Sequence, residues 1–152
     1  MKITILLICM CLGCSCVRKE ILENFPIPLN INIASLSRGT TPLLDGAELG
    51  VYIAENSPEN DYDGVAYQNI HAIIKNGELE LDEDIMLSST MANIYVYSPY
   101  KTTFTDPRAT RVTTKASPDF LLGKVEGINN LNPNANIILQ HMYSVIRFKI
   151  RN

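Results

Sequence analysis

The chain has 152 residues, of which 46% are hydrophobic and 19% are charged, a composition typical of one folded domain. Its formal net charge is −3 at pH 7. The sequence has no cluster of Lys and Arg to neutralise phosphates, which argues against a nucleic-acid partner. All four cysteines fall between Cys9 and Cys16. The rest of the chain therefore cannot depend on disulfides and must be stabilised by packing.

The first residues predict an export signal. Lys2 precedes an apolar run that has the length of a signal-peptide core and is too short to span a bilayer as a helix. Leu12-Gly13-Cys14 resembles a bacterial lipobox, so we expect lipid on Cys14, with Cys16 as a second candidate. A plain secretory signal with incidental cysteines is the alternative. The lipoprotein interpretation assigns residues 1–13 to the signal peptide and 14–27 to a tether.

Two strands are predicted in the first third of the folded part. Leu29, Ile31 and Ile33 alternate with polar or small residues, which predicts a strand with one buried face over 29–36. The polar segment that follows contains a Gly and a Pro and predicts an exposed loop that presents Arg38. Glu48–Ala54 alternates again and predicts the second strand.

The segment from residue 55 to 64 is acidic, with carboxylates at Glu59, Asp61 and Asp63. This spacing is similar to the start of a calcium-binding loop. An EF-hand would need Glu where this chain has Ile70, and a helix on each side. We therefore expect a solvated loop and no metal site.

A hairpin and a central strand are predicted next. Asn76-Gly77 is the preferred sequence of a type I′ turn and lies between two strand-like segments, 65–74 and 78–81. The segment 91–100 is apolar on both faces, as expected for a strand covered by two layers.

The last strand is predicted over 136–150, after a short apolar patch at 119–123. Its apolar residues change phase near Ser144, which indicates a bulge or bend. Short strands separated by turns, without sustained helical periodicity, predict an all-β protein and a β-sandwich. The predicted core comprises Ile31, Ile33, Leu49, Val51, Ile53, Ile94, Val96, Ile146 and Phe148.

Candidate catalytic residues are few. His71 and His141 lie on separate predicted strands, without metal ligands at the usual spacing, and the sequence has no phosphate-binding loop or nucleophile elbow. The carboxylates between Glu78 and Asp84 could serve glycoside hydrolysis, but they fit a solvated strand end better. Tyr95, Tyr97 and Tyr100 could stack on sugars, although core packing suits them better. We expect no catalysis and no cofactor.

Several short motifs, in order, resemble the fimbrillin family, the lipoprotein pilins of type V pili in Bacteroidota. They are Leu12-Gly13-Cys14, Ser37-Arg38-Gly39-Thr40, Leu49-Gly50-Val51-Tyr52, the segment from Ile94 to Tyr100, Asp119-Phe120-Leu121-Leu122-Gly123, and the segment from His141 to Ile146. The resemblance extends over nearly the whole chain.

The resemblance implies a transthyretin-like β-sandwich of about seven strands over residues 28–152, corresponding to the family's N-terminal domain, with the second domain absent. It implies a lipid-anchored protein of the cell outer membrane or fimbrium. In the family, cleavage after an arginine removes the first strand, and a strand of another subunit refills the groove. Here the cut would fall between Arg38 and Gly39. Gly39 replaces the family's Ala at this position.

The implied function is a structural or adhesive pilus component. Its expected partners are other pilus subunits, the outer membrane and a host or bacterial surface ligand. A monomeric outer-membrane lipoprotein that binds glycans is the alternative, and an enzyme ranks third.

Overall fold

The computed structural model describes residues 25–35, 43–57, 59–106 and 120–142. These ranges contain strands and turns, which confirms the all-β prediction. The strands are β1 (Ile27–Pro28), β2 (Asn30–Ser35), β3 (Glu48–Ala54), β4 (Ile70–Lys75), β5 (Glu78–Leu81), β6 (Met86–Leu87), β7 (Ala92–Ser98), β8 (Leu121–Ile128) and β9 (Asn134–His141). Within this part of the chain, no helix is long and apolar enough to cross a membrane.

Seven strands form one mixed sheet in the order β2-β9-β8-β7-β3-β4-β5, and β1 pairs with β6 in a second, small sheet. Neighbours in the large sheet are antiparallel except for β2 and β9, which are parallel. The sheet curls until its two end strands, β2 and β5, come close together. The result is nearly a closed barrel and is consistent with the predicted β-sandwich.

The inner face of the curled sheet carries the main core. Alternate residues of β3 and β7 point into it because a strand directs every second side chain to the same face. The fully enclosed members include Leu49, Val51, Ile94 and Val96. Of the predicted core residues, Ile31, Leu49, Val51, Ile53, Ile94 and Val96 are buried, and Ile33 is partly buried against the same cluster. Ile146 and Phe148 lie outside the described residues.

The outer face of β3 and β7 carries a second, aromatic cluster. Tyr52, Tyr95, Tyr97 and Phe120 are buried there, with the ring centroids of Tyr97 and Phe120 5.7 Å apart. Tyr95 and Tyr97 are two positions apart and therefore share this face. This cluster confirms the predicted two-sided cover over β7, and it confirms that Tyr95 and Tyr97 fill a core.

The hairpin between β4 and β5 has the predicted turn. Asn76 and Gly77 have φ angles of 52° and 81°, and Lys75 pairs with Glu78 across the turn. Two consecutive positive φ angles define a type I′ turn, which Asn-Gly adopts with little strain.

Tyr62, in the loop after β3, packs into the main core. Glu59, Asp61 and Asp63 in the same loop are exposed, as predicted, but Tyr62 is only 1% exposed. Its hydroxyl donates to the Thr90 carbonyl at 2.9 Å and accepts from the Ser88 N–H at 3.0 Å. These bonds connect the loop to the segment before β7. The sequence pattern of the loop did not predict this contact.

β8 is longer than the apolar patch predicted at 119–123. It continues to Ile128 because Lys124 and Glu126 alternate outward and form an ion pair in solvent. β9 begins at Asn134, two residues before the predicted strand, and its Ile137 and Leu139 are buried, although neither was in the predicted core. The expected phase change near Ser144 lies outside the described residues.

Candidate strand-exchange site

The edge of the large sheet formed by β2 and β9 is the strongest candidate for an interaction site. β2 is an end strand and has one strand neighbour in the described part of the chain, β9. The parallel register joins Asn30 with Asn134 and continues to Ser35 with Leu139. Ile31 nevertheless belongs to the main core. β2 is thus an edge strand that also supplies core side chains.

Asparagines connect the solvent faces of β2 and β9. The Asn30 Nδ2 donates to the Asn134 Oδ1 at 3.1 Å, and the Asn32 Nδ2 donates to the Asn136 Oδ1 at 3.3 Å. Both pairs are exposed, while Ile31 faces the core between them. The two strands therefore have aliphatic contacts on the inner face and, on the outer face, two asparagine pairs (the asparagine ladder) followed by Ala34 beside Ile138.

A groove of about 580 Å³ separates β2 from the β4–β5 hairpin. Its lining consists of Asn30, Ile31, Asn32, Ile33, Leu43, Ile74, Gly77, Glu78 and Leu79. No strand pairing joins β2 to β5 within the described ranges. In the described part of the chain, the edge of β2 away from β9 therefore faces a groove lined by apolar and polar side chains.

A second, more open depression of about 670 Å³ lies around His71. The His71 Nδ1 and the Asp82 Oδ2 are 2.8 Å apart, and Glu48 Oε1 lies 3.9 Å from the Nε2. The Tyr100 ring meets the His71 ring edge-on at a centroid distance of 4.6 Å. Lys101, Thr102 and Thr103 complete the lining. The depression thus combines aromatic rings with groups that can donate and accept hydrogen bonds.

The aromatic cluster holds the Tyr100 loop in place. The Tyr97 hydroxyl donates to the Asn69 Oδ1 at 2.6 Å and accepts from the Lys101 N–H at 3.2 Å. The Tyr52 hydroxyl donates to the Phe104 carbonyl at 2.5 Å. Burial away from water raises the pKa of Tyr52 and of Tyr97 because it disfavours the phenolate. Both hydroxyls therefore stay protonated and can serve as donors at neutral pH.

The predicted processing residues Cys14, Arg38 and Gly39, and the second lipidation candidate Cys16, lie outside the described residues. Glu59, Asp61 and Asp63 belong to the exposed loop near Tyr62, where the Asp63 Oδ1 accepts a hydrogen bond from Thr90. Within the described ranges, no group of three or more His, Cys, Asp and Glu side chains is arranged to hold a metal ion.

Sequence reasoning missed the asparagine ladder and the partners of His71. The ladder has a visible signal, since Asn-x-Asn occurs at residues 30–32 and again at 134–136. Only the parallel register shows that the two segments are neighbours. Glu48 and Asp82 reach His71 from β3 and from the end of β5, and the spacing of these residues along the chain does not predict this arrangement.

No protein-family model matches the chain, and no curated protein matches it in sequence. The fold is similar to the crystal structure of a proposed cell adhesion protein from Bacteroides ovatus ATCC 8483, with a TM-score of 0.47 and 18% sequence identity. The match covers 78% of this chain and 52% of that protein. This chain thus spans about half the length of the protein that it matches.

Proposed function

We propose that this protein acts in adhesion at the cell surface, as a structural or adhesive pilus subunit that assembles by strand addition. The observation that supports this proposal is the position of β2. This strand lies at the end of the sheet and pairs with β9, yet its Ile31 is part of the main core. Removal of β2 would take apolar side chains from the core and leave a strand edge unpaired.

The physical consequence of removal is a groove that favours an incoming strand. Ala135, Ile137 and Leu139 of β9 are buried. Without β2, part of this surface would meet water, at a cost of roughly 25 cal/mol for each Å² of apolar area. The backbone N–H and C=O groups of β9 that face β2 would also lose their partners, while those that face β8 would keep theirs. A strand from another subunit would restore both interactions, which is β-strand addition.

The remaining parts of the proposal come from the sequence. Cys14 carries the lipid that anchors the precursor to the outer membrane, and cleavage between Arg38 and Gly39 frees β2. The mature protein resides in the fimbrium or on the outer-membrane surface. It uses no cofactor, catalyses no reaction and has no nucleic-acid partner. Mass spectrometry of the mature N-terminus should show a lipid-modified Cys14, and an unmodified start beyond that residue would contradict the anchor.

The central test is strand uptake after cleavage. We expect an arginine-specific protease to cut the full chain after Arg38 before Arg108 or Arg111, because Arg38 lies in a polar segment with Gly and Pro. The cut protein, in mild denaturant, should take up a fluorescent peptide with the sequence of residues 29–36, measured by fluorescence anisotropy. The intact chain and an Arg38→Ala variant treated in the same way should not bind it.

Two results would contradict strand exchange. One is an Arg38-cleaved protein that retains its β-sheet circular dichroism but takes up no peptide. The other is equal peptide uptake by the Arg38→Ala variant, since uptake would then not depend on the release of β2. For the pilus assignment, immunoelectron microscopy of the native cells should place the protein on filaments.

A second candidate function is glycan binding at the His71 depression. Carboxylates, Lys and Thr can hydrogen-bond to sugar hydroxyls, and the partly exposed rings of His71 and Tyr100 can pack against a sugar ring. On a glycan array, Asp82→Asn should weaken binding, while Asp84→Asn, a nearby exposed carboxylate, should not. Loss of binding in both variants, or in neither, would argue against this site.

A further inference from the structure

The asparagine ladder has a pattern that strand pairing alone does not require. Parallel backbone bonds and a buried aliphatic face would hold β2 on β9 with any polar residues outside. Yet two of the three solvent-facing positions of β2, 30 and 32, carry asparagine, and so do their partners, 134 and 136. At the third position Ala34 lies beside Ile138. Each pair forms a side-chain hydrogen bond.

Asparagine suits this arrangement because its side chain both donates and accepts. An Asn Nδ2 can donate to the Oδ1 of an identical residue in the next strand, so equal residues in register complement each other. Two carboxylates at these positions would repel each other. The outer face of β9 therefore offers two amides, two positions apart, to whatever strand lies beside it.

We infer that Asn134 and Asn136 select the strand that pairs with β9 and set its register. The preferred partner is a parallel strand of a pilus subunit with asparagine at two positions separated by one aliphatic residue, as in Asn30-Ile31-Asn32. This inference rests on the proposed strand exchange and specifies the chemistry of the incoming strand. A strand that matches only the apolar alternation would bind, but more weakly and in more than one register.

The peptide assay can test this selection directly. Arg38-cleaved protein is titrated with the 29–36 peptide and with a version carrying Asn30→Ala and Asn32→Ala. Loss of two exposed hydrogen bonds should weaken binding by about 5- to 30-fold. The matched control acceptor is made from the full chain with Asn134→Ala and Asn136→Ala and is cleaved after Arg38 in the same way. On that acceptor the two peptides should bind within about twofold of each other.

The control acceptor separates the effect of asparagine pairing with β9 from any effect of the alanine substitutions on the strand propensity of the peptide itself. If the alanine peptide is weaker on both acceptors by the same factor, the asparagines act through the peptide alone and the inference is wrong. Equal binding of both peptides to the unaltered acceptor would also overturn it. In that case the proposed strand exchange would still stand, because peptide uptake itself would have been observed.

A double-mutant cycle in the intact, uncleaved chain tests the asparagine ladder independently of strand exchange. The variants are Asn32→Ala, Asn136→Ala and the double variant, each unfolded in urea. The double variant should lower the unfolding midpoint by less than the sum of the single shifts, since the second change removes a bond already lost. Additive shifts would contradict the ladder. If no peptide is taken up but coupling is present, the proposed function fails while the pairing role of the asparagines remains.

Discussion

Gly50 and Tyr97 show how closely the outer face of the sheet is packed. Gly50 lies in β3 opposite Tyr97 in β7. A Cβ at residue 50 would lie 2.0 Å from Tyr97 Cε1 and 2.6 Å from the hydroxyl oxygen, so the ring could not keep its position. The hydroxyl bonds to Asn69 and Lys101 depend on that position. Gly50 is therefore required for the close approach of this ring to the backbone.

We expect Gly50→Ala to lower the free energy of unfolding by about 1–3 kcal/mol, the usual cost of overpacking a filled site. Urea denaturation measures the change. Tyr97→Leu is also destabilising, but it removes the clashing ring atoms. The double variant should therefore lose less free energy of unfolding than the sum of the losses in the two single variants. Strictly additive effects would mean that residues 50 and 97 do not compete for the same space.

The buried tyrosine hydroxyls predict a loss of stability in alkali. Burial raises the pKa of Tyr52 and Tyr97 above the ordinary value of 10.0, so the folded state holds these protons more tightly than the unfolded chain. Their stabilising effect is complete below the unfolded pKa and is lost as the pH rises towards the folded pKa. The urea concentration at the midpoint of unfolding should therefore decrease as the pH is raised from about 9 to about 11. Tyr52→Phe should make that fall shallower, and an unchanged pH profile would contradict the assignment.

At the scale of the element, β9 explains why alternation is a reliable signal. Ile137 is 1% exposed and Ile138 is 45% exposed, although the two residues are adjacent and chemically identical. The burial pattern of the whole strand alternates from Asn134 to Gln140. A strand places consecutive side chains on opposite faces, so position along the strand alone decides which isoleucine is in the core.

This contrast provides a matched pair of substitutions. Ile137→Ala should lower the free energy of unfolding by about 2–5 kcal/mol, because it removes buried methylene groups and leaves a cavity. Ile138→Ala should change it by no more than about 0.5 kcal/mol, plus a small loss of strand preference. Both values come from equilibrium urea unfolding. A larger cost for Ile138→Ala would show that β9 lies in the opposite phase, and similar costs would contradict the burial of one face only.

At the scale of the whole molecule, the order of strands sets which parts are easiest to detach. β3 and β7 lie at the centre of the sheet and have clusters of buried side chains on both faces. β2 and β5 are the end strands and border the groove. Local opening costs least where few neighbours must separate. Among the described strands, the one that the proposed function releases is therefore paired along a single edge.

Hydrogen exchange followed by mass spectrometry should resolve this order. Amides of β3 and β7 should exchange slowest, and those of β2 should exchange earlier, close to those of β5. The comparison is internal, so all peptides come from one digest of the same sample. Protection of β2 equal to that of β7 would mean that β2 does not separate without global unfolding, which would argue against its release as a distinct step.

The sequence by itself determined where several of the longer strands lie and which of their faces is buried. It did not predict β1 or β6, and it began the strand before the hairpin at residue 65, whereas β4 begins at Ile70. β3 was predicted at its observed bounds, and the Asn76-Gly77 turn and the two-sided cover of β7 were also predicted. These features depend on neighbouring residues, through the period-two alternation of strands and the φ preferences of Asn and Gly. β8 was predicted only in part because the predicted apolar patch ended at Gly123, and a glycine there and another at Gly127 weaken the strand pattern.

Only the tertiary structure decided which strands pair, and therefore where the candidate site lies. Asn30 and Asn134 are 104 positions apart, and the preference of one asparagine does not depend on the other until the chain folds. The same holds for Glu48, His71 and Asp82, which come together from separate strands and a strand end. Local alternation reports whether a side chain is buried, but it carries no information about which strand lies beside it. Pairing depends on the packing of the entire sheet, and for that reason the parallel edge of β2 and β9 appears only in the folded molecule.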